Sequence, residues 1–263
     1  MTIYTSYTSY IPYTDNPLHI VPMYLNGVLP SNVAAAPATS APDLTYRGGP
    51  IISNVQIFTV FWGSAWQQSP QNGLISQINT FFGFLVTSAL MNQLAEYNTS
   101  TQTIGPGSFI GTTTITTPDT SQTVADSDIQ SLLQNQISSN ALPQPTANTL
   151  YFVYLPPGVT VQQGGSSSCQ SFCGYHDNIN GQIFYAVMPY PNCSGCTSNL
   201  STFDSLTSTS SHEFCEAITD PIPGQGWYDD NNGEIGDICA WQTKQLGNYV
   251  IQQEWSNQAN SCV

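Results

Sequence analysis

The chain has 263 residues, enough for one large domain with a buried core, and hydrophobic residues make up 40% of it. Only 2 residues are Lys or Arg against 16 Asp and Glu, which gives a formal net charge of −14. This balance excludes nucleic acid as a partner and argues against an anionic membrane surface. No apolar run is long enough to span a bilayer. The surface must be covered by neutral polar side chains, which favours a secreted protein and permits an acidic setting.

Residues 1–44 are rich in Tyr, Pro and Ala and show neither strand nor helix periodicity, so they are predicted to form an extended arm. Residues 45–202 are predicted to form a core of sheet and helices. This core begins with a buried strand in YRGGPIISNVQIFTVFWG, because β-branched and aromatic residues follow a Gly-Gly-Pro turn. Residues 74–97 then indicate one long helix or two short ones.

The rest of the core is predicted to hold a Thr-rich strand, an amphipathic helix and two more strands, at residues 110–117, 126–137, 149–155 and 182–189. A loop rich in Gly, Ser and Cys is expected to separate the last two strands and to contain CGYH (173–176). Residues 203–263 are predicted to form a helix to about residue 218 and a turn-rich subdomain with one strand near 248–255. The order of elements indicates an α+β (α/β-like) fold.

Seven cysteines support export of the protein. Cys169 and Cys173 form one close pair, and Cys193 and Cys196 form another. In a chain with three N-glycosylation sequons and almost no basic residues, these pairs predict disulfide bonds rather than redox or zinc chemistry. Their spacing leaves the connectivity open, and the odd total leaves one cysteine unpaired.

The sequence SSHEFCEAITDP (210–221) carries the clearest chemical pattern. His212 and Glu216 are four residues apart, so on a helix they share a face and can bind one metal ion. Glu213 is placed to act as a general base on water, as in the H-E-x-x-H zinc peptidases. Glu216 stands where those enzymes have a second histidine. A carboxylate is an accepted zinc ligand, and it stays ionised at lower pH than imidazole.

A catalytic zinc site needs three protein ligands and an open position. Glu234 and Asp237 follow a glycine turn in an otherwise apolar run, so both are expected to point inward as ligands. His176 either completes the ligand set or stabilises an oxyanion. Further carboxylate candidates are Asp220, Asp229 and Asp230. DDNNGE (229–234) also has the composition of a calcium loop, and thus of a second, structural Ca²⁺ site, although an ordinary Asx turn explains it more simply.

Other interpretations stay open. Cys215 is better explained as a small buried residue than as a nucleophile or ligand, and no G-x-S-x-G elbow indicates a serine hydrolase. A non-catalytic alternative is an extracellular binding module in which zinc or calcium only holds the C-terminal subdomain together. Exposed aromatic residues would then contact glycans or a partner at the cell surface. A third alternative is a structural or filament subunit that assembles through residues 1–44.

Several sequence elements occur together in a characteristic order, and they are YRGGPIISNVQIFTVFWG, CQSFCGYH, the Cys193–Cys196 pair, SHEFCEAITDP, GWY and GEIGDICAW. Over roughly residues 45–240 this order resembles the EXORDIUM / phosphate-induced protein family and its microbial relatives. The plant members are extracellular proteins associated with growth and the cell wall, and the microbial members look like zincin-type metallopeptidases. This chain departs from the family at Cys215 and in its near absence of Lys and Arg.

The resemblance implies a zincin-like twisted mixed sheet, an active-site helix and a loop-rich C-terminal subdomain pinned by disulfides. Carried over residue by residue, it points to the same site, which consists of His176, His212, Glu213, Glu216, Glu234 and Asp237. Residues 203–263 are therefore predicted to form the metal-binding part of a secreted zinc peptidase. In this hypothesis a peptide or protein substrate adds to an exposed strand edge.

Overall fold

The computed structural model describes residues 20–23 and 41–263 of the chain. Most of the arm predicted for residues 1–44 therefore lies outside the described residues. The strands, in chain order, are β1 (Ile20–Pro22), β2 (Thr45–Tyr46), β3 (Gln56–Trp62), β4 (Ser108–Ile115), β5 (Thr123–Ala125), β6 (Thr149–Tyr154), β7 (Thr160–Gln163), β8 (Ser166–Ser167), β9 (Phe172–Ile179), β10 (Ile183–Met188), β11 (Trp227–Tyr228), β12 (Thr243–Leu246), β13 (Tyr249–Gln252), β14 (Trp255–Ser256) and β15 (Ser261–Cys262).

The described residues form fewer helices than strands, and the longest helix lies in the second half of the chain. They are α1 (Gln71–Leu85), α2 (Ala89–Leu94), α3 (Asp126–Ser138), α4 (Ser194–Thr197) and α5 (Thr202–Thr219). Short 3-10 turns occupy Ser64–Gln67, Ala95–Tyr97 and Asp237–Cys239. In the described part of the chain no single helix is long and apolar enough to cross a membrane, although α1 and Ala89–Tyr97 together meet the length and composition test as a pair bent by 48°.

A six-stranded mixed sheet forms the centre of the fold, in the order β1-β9-β10-β6-β3-β4. Strands β10, β6, β3 and β4 are parallel, whereas β9 is antiparallel to β10 and β1 is antiparallel to β9. Every residue of β6 is buried, as expected for a central strand covered on both faces. The predicted mixed class of the fold is therefore confirmed.

Two apolar cores lie on opposite faces of this sheet, because successive strand residues point to opposite sides. Leu150 and Phe152 belong to the core that includes residues of α1, α2 and α5. Tyr151 and Val153 belong to the other core, which includes residues of α3. Helix α5 therefore lies on the same face of the sheet as α1 and α2.

Most predicted elements are confirmed, including the strand that becomes β3, the helices that become α1 to α3 and the strands that become β4, β6 and β10. The loop predicted around CGYH (173–176) is wrong, because these residues form the middle of β9. Gly and Cys disfavour a strand locally, but here each side of the segment pairs with a neighbour, β1 on one side and β10 on the other. Tertiary pairing has overridden local propensity.

Helix α5 is rich in Ser and Thr and is buried from Ser205 to Thr219. Ser201 caps its N-terminus by accepting a hydrogen bond from the backbone N–H of Asp204 at 3.1 Å. Inside the helix, hydroxyls donate back to backbone carbonyls; Ser211, for example, donates to Ser208 O at 2.8 Å. These small, satisfied side chains allow α5 to pack directly against β9, β10 and β13. Tertiary burial, rather than helix propensity, holds the helix in place.

Three disulfides pin the second half of the chain and confirm the prediction of disulfide chemistry. They join Cys169 to Cys193, Cys173 to Cys196 and Cys239 to Cys262. Cys215 on α5 is a free, buried thiol, as its small size suggested.

Candidate metal centre

Three parts of the fold bring the predicted site residues together. Helix α5 carries His212, Glu213 and Glu216, and the neighbouring strand β9 carries His176. The loop before the 3-10 turn carries Glu234, and the turn itself begins at Asp237. All the predicted metal ligands and proposed catalytic residues of the sequence analysis therefore meet at one place, on the face of the sheet covered by α5.

The first half of the site lies between α5 and the 3-10 turn. His212 Nε2 is 2.9 Å from Glu216 Oε1 and 4.0 Å from Asp237 Oδ1. Ligand atoms of these three residues lie within 4.8 Å of one another, a spacing that could hold a metal ion. The backbone N–H of Asp237 donates to Glu216 Oε1 at 3.2 Å, which ties the turn to the helix. Asp237 keeps 16% of its side chain exposed, so this half of the site faces solvent.

The second half of the site surrounds His176. Its Nδ1 lies 3.1 Å from Glu213 Oε2 and 3.5 Å from Glu216 Oε2. Its Nε2 lies 3.2 Å from the backbone carbonyl of Asp220 and 3.5 Å from Glu234 Oε1. Both ring nitrogens therefore face oxygen atoms of the protein, and the doubly protonated ring can donate from both. In this arrangement His176 holds Glu213 in place.

Several polar atoms of the site are completely buried and make no hydrogen bond among the described residues. They are His212 Nδ1 and Nε2, Glu213 Oε1 and Glu216 Oε2. His212 Nε2 and Glu216 Oε1 are close enough for an ion pair, but their geometry is not that of a hydrogen bond. Buried polar atoms in proteins are nearly always paired, and burying them without a partner is costly. An ion bound between the helix and the turn would take one ring nitrogen of His212 and a carboxylate oxygen of Glu216 as ligands.

The donor set can hold a divalent metal ion, and it includes donors that zinc accepts. Zn²⁺ accepts imidazole nitrogen and carboxylate oxygen in tetrahedral sites, and the group of His212, Glu216 and Asp237 supplies three such donors. A second group, His176 with Glu216 and Glu234, also has ligand atoms within 4.8 Å of one another. Glu216 belongs to both groups, so its carboxylate is the candidate ligand that the two groups share.

The remaining carboxylate candidates make hydrogen bonds to backbone turns or a surface ion pair. Asp220 accepts hydrogen bonds from the backbone N–H groups of residues 224, 225 and 226, and so closes the turn after α5. Asp229 Oδ1 accepts from two backbone N–H groups of its own turn, which is the Asx turn that the sequence suggested as the simpler interpretation of DDNNGE. Asp230 is exposed and pairs with Arg47 at 2.9 Å. None of the three lies in either group of candidate ligands.

Sequence reasoning missed Glu254 and Gly236. Glu254 follows β13, is completely buried, and neither of its oxygens makes a hydrogen bond within the described residues. Burial raises its pKa well above the usual range, and it lies close enough to His212 and Cys215 to interact with both. The signal available in the sequence was weak: an acidic residue directly before a tryptophan, next to the predicted C-terminal strand. Gly236 lies directly over His212 and Glu216, a closeness that no sequence pattern reveals.

Opposing effects set the pKa values of the central residues. Burial alone would lower the pKa of His176, but the hydrogen bond with Glu213 and the negative charges of Glu213 and Glu216 outweigh burial and raise that pKa to about 10. Burial disfavours the ionised form of Glu216, yet the charges of His212 and His176 hold its pKa below the usual range. Glu216 is therefore the stable anion of the site.

The other carboxyl groups shift in the opposite direction. Burial raises the pKa of Glu213. Burial and then the charge of Glu216 raise the pKa values of Glu234 and Asp237 well above the usual range. Without a metal ion the site therefore retains protons, and ion binding must release them.

Metal-free protein is expected to lose stability as the pH rises from about 6.5 towards about 10. The pKa of His176 is raised on folding, so its contribution is complete below the unfolded value and lost as pH passes the folded value. The raised pKa values of Glu234 and Asp237 act in the same direction, whereas the contribution from the lowered pKa of Glu216 is complete above the unfolded value of 4.5 and does not change over this range. Urea denaturation of chelator-treated protein at about pH 6 and about pH 9 measures this. Equal free energies of unfolding would contradict it.

Replacing Gly236 with alanine is expected to weaken zinc binding without removing a ligand. The added Cβ would lie 2.8 Å from His212 Nδ1 and 2.9 Å from Glu216 Oε1, whereas the backbone φ of −81° accepts alanine. We expect a loss of roughly 10- to 100-fold in zinc affinity, the range typical of changes just outside the ligands. Gly83→Ala in α1, where an added Cβ meets nothing within 4 Å, is the matched control. Equal zinc affinities of the two variants in calorimetric titration would count against the site.

The sequence matches no protein-family model, and no curated protein matches it either. The chemistry of the site therefore rests on the residues themselves.

Proposed function

We propose that this protein is an extracellular zinc-dependent peptidase. One observation carries the proposal. Near the C-terminal end of α5, a buried histidine and a buried glutamate, four residues apart on the helix, lie close to the carboxylate of the 3-10 turn, and a second buried glutamate lies beside them. These residues are His212, Glu216, Asp237 and Glu213, and buried polar atoms of the first, second and fourth have no hydrogen-bond partner in the described chain.

His212, Glu216 and Asp237 would hold the ion. Bound there, zinc would act as a Lewis acid on a peptide carbonyl and lower the pKa of water. Solvent reaches this part of the site at Asp237, the one member of the group whose side chain is partly exposed. A substrate would therefore approach from the side of the 3-10 turn.

Glu213 would be the general base. His176 holds its Oε2 at 3.1 Å, which leaves Oε1 without a hydrogen bond in the described chain. Burial raises the pKa of Glu213, so this carboxylate takes a proton from water more readily than an ordinary glutamate does. The same oxygen can return that proton to the leaving amine. His176 would act as a positioning residue, because both of its nitrogens are engaged by protein oxygens.

The zincin-like character and the extracellular setting belong to the same proposal. A central mixed sheet with a site-bearing helix against one face, together with the resemblance to zincin-type microbial proteins, supports the first. Three disulfides support the second, because such bonds persist in oxidising compartments.

The non-catalytic alternative has one observation in its favour. His212, Glu213 and Glu216 are completely buried, and structural zinc sites are closed whereas catalytic sites keep a position open. In that case the ion would only hold the C-terminal region together, and the protein would be an EXORDIUM-like binding or structural protein of the cell surface.

A peptide-library digest separates the two functions. Protein loaded with zinc is incubated with the library at acidic and neutral pH, with and without chelator, and its metal content is determined by elemental analysis. The peptidase proposal expects about one zinc per chain and cleavage that chelation abolishes. Stoichiometric zinc without cleavage at either pH supports the non-catalytic alternative.

A further inference from the structure

Strand β1, which belongs to the predicted N-terminal arm, occupies the outer edge of β9. Ile20 lies opposite Tyr175, Val21 opposite Gly174, and the pairing continues past an irregularity at Pro22. Because β10 pairs with the other edge of β9, β1 takes up the hydrogen-bonding edge that would otherwise end the sheet.

Side-chain contacts hold this segment down. Val21 and Met23 are only 2% and 5% exposed, and they share a small core with the Cys173–Cys196 disulfide. The indole N–H of Trp241 donates to the carbonyl of Pro22 at 2.7 Å. Trp241 closely follows the 3-10 turn that begins at Asp237, so β1 links the sheet to the metal-binding turn.

The segment lies next to the proposed base. Val21 is paired with Gly174, and a Cβ added at Gly174 would lie 3.3 Å from Glu213 Oε1. His176 is two residues further along the same strand. Strand β1 also contacts both α5 and the 3-10 turn. Strand β1 therefore lies at the sheet edge beside the site, next to the strand residue that packs on the completely buried Glu213.

Another peptide cannot add to this edge of β9 while β1 is paired with it. Peptides commonly bind by adding a strand to a free sheet edge. Here the edge beside the site is already filled by an extended segment of the same chain. We infer that the outer edge of β9 is a binding edge for an extended peptide, and that Ile20–Met23 occupies it as a displaceable internal inhibitor.

Because Ile20–Met23 is covalently connected to the rest of the chain, it competes more strongly for this edge than a free peptide does. A tethered segment acts at an effective concentration of about the millimolar range, so a free peptide at micromolar concentration cannot displace it. Cutting the chain between residues 23 and 41 converts the contact into a bimolecular one, which is weak for so short a strand. Processing of the arm would therefore open the edge. The inference rests on the proposed function only for what happens to the bound peptide.

A peptide-binding measurement tests the inference without requiring catalysis. A recognition sequence for a specific protease is inserted within residues 24–40 of the full chain, and the folded protein is cut and freed of its N-terminal fragment. The probe is a fluorescent synthetic peptide with the sequence NPLHIVPMYLN, residues 16–26. Its anisotropy is recorded with cut and uncut protein in chelator.

The cut protein is expected to bind the probe at one site, and the uncut protein at least about tenfold more weakly. The full-length variant Val21→Asp, which buries a charge in β1, is expected to bind the probe without being cut. Ile110→Asp, at an exposed position on the opposite edge strand β4, serves as the control and is expected to behave like the uncut wild type. If neither the cut protein nor Val21→Asp binds the probe, the inference is wrong.

Activity gives a separate result. If the peptidase proposal also holds, cutting the arm is expected to raise hydrolysis of library peptides by roughly 100-fold. Probe binding without hydrolysis in zinc would refute the peptidase and leave the binding edge established. Hydrolysis that is equal before and after cutting would refute the internal inhibitor and leave the peptidase intact.

Discussion

Glu213→Gln is expected to lower kcat for peptide hydrolysis by about 10²- to 10⁴-fold, the usual contribution of a general base. Glutamine has the shape of glutamate but cannot accept the proton of the attacking water. Zinc content should stay unchanged, because Glu213 is absent from both groups of candidate ligands. Stopped assays with a peptide found in the library digest, together with elemental analysis, measure both quantities.

Glu96→Gln is the matched control for this change. Glu96 belongs to neither group of candidate ligands, and it accepts hydrogen bonds from Ser256 and from the backbone of Gln258, which a glutamine oxygen can also accept in part. The control should keep full activity. If Glu213→Gln hydrolyses peptides as fast as Glu96→Gln, then Glu213 is not the base and the proposed mechanism is wrong.

Glu216→Gln is expected to have the largest combined effect on zinc binding and stability. Glu216 belongs to both candidate ligand groups, so its loss should weaken zinc binding by more than the 10- to 100-fold expected of a residue just outside the ligands. In metal-free protein at about pH 6, His176 and His212 also lose the anion that they face. Removing one partner of a buried ion pair costs about 3–5 kcal/mol, so the free energy of unfolding should fall by that order.

Comparison with Glu213→Gln makes this prediction specific. The two variants carry the same substitution on the same buried face of α5, three residues apart. Urea denaturation in chelator and calorimetric zinc titration should separate them, with zinc binding lost only in Glu216→Gln. Retention of tight zinc binding by Glu216→Gln would show that this carboxylate is not a ligand.

The part of the site that local geometry determines was predictable from the sequence. His212 and Glu216 share a helix face because four residues make about one turn, and the two side chains do meet, at 2.9 Å. Glu234 and Asp237 were predicted to point inward because they interrupt an apolar run. The helices and central strands were also predictable, because β6 is a short run of apolar and aromatic residues and α3 follows the helical periodicity of 3.6 residues.

Features that depend on long-range packing were not predictable. CGYH was assigned to a loop, since nothing in those residues shows that β1 and β10 pair on either side of them. The role of His176 follows from this strand, which directs one ring nitrogen to Glu213 and the other to the backbone of Asp220. The burial of Glu254 was also not predictable, because it arises only when β13 packs on α5.

The most direct test of the whole account is anomalous X-ray scattering at the zinc edge from crystals of the protein grown with zinc. The account predicts one strong peak at roughly 2.0–2.2 Å from His212 Nε2 and from a carboxylate oxygen of Glu216, with Asp237 or Glu234 completing the ligands. Absence of a peak at these atoms, or a fully occupied peak only at another place on the chain, would contradict the account.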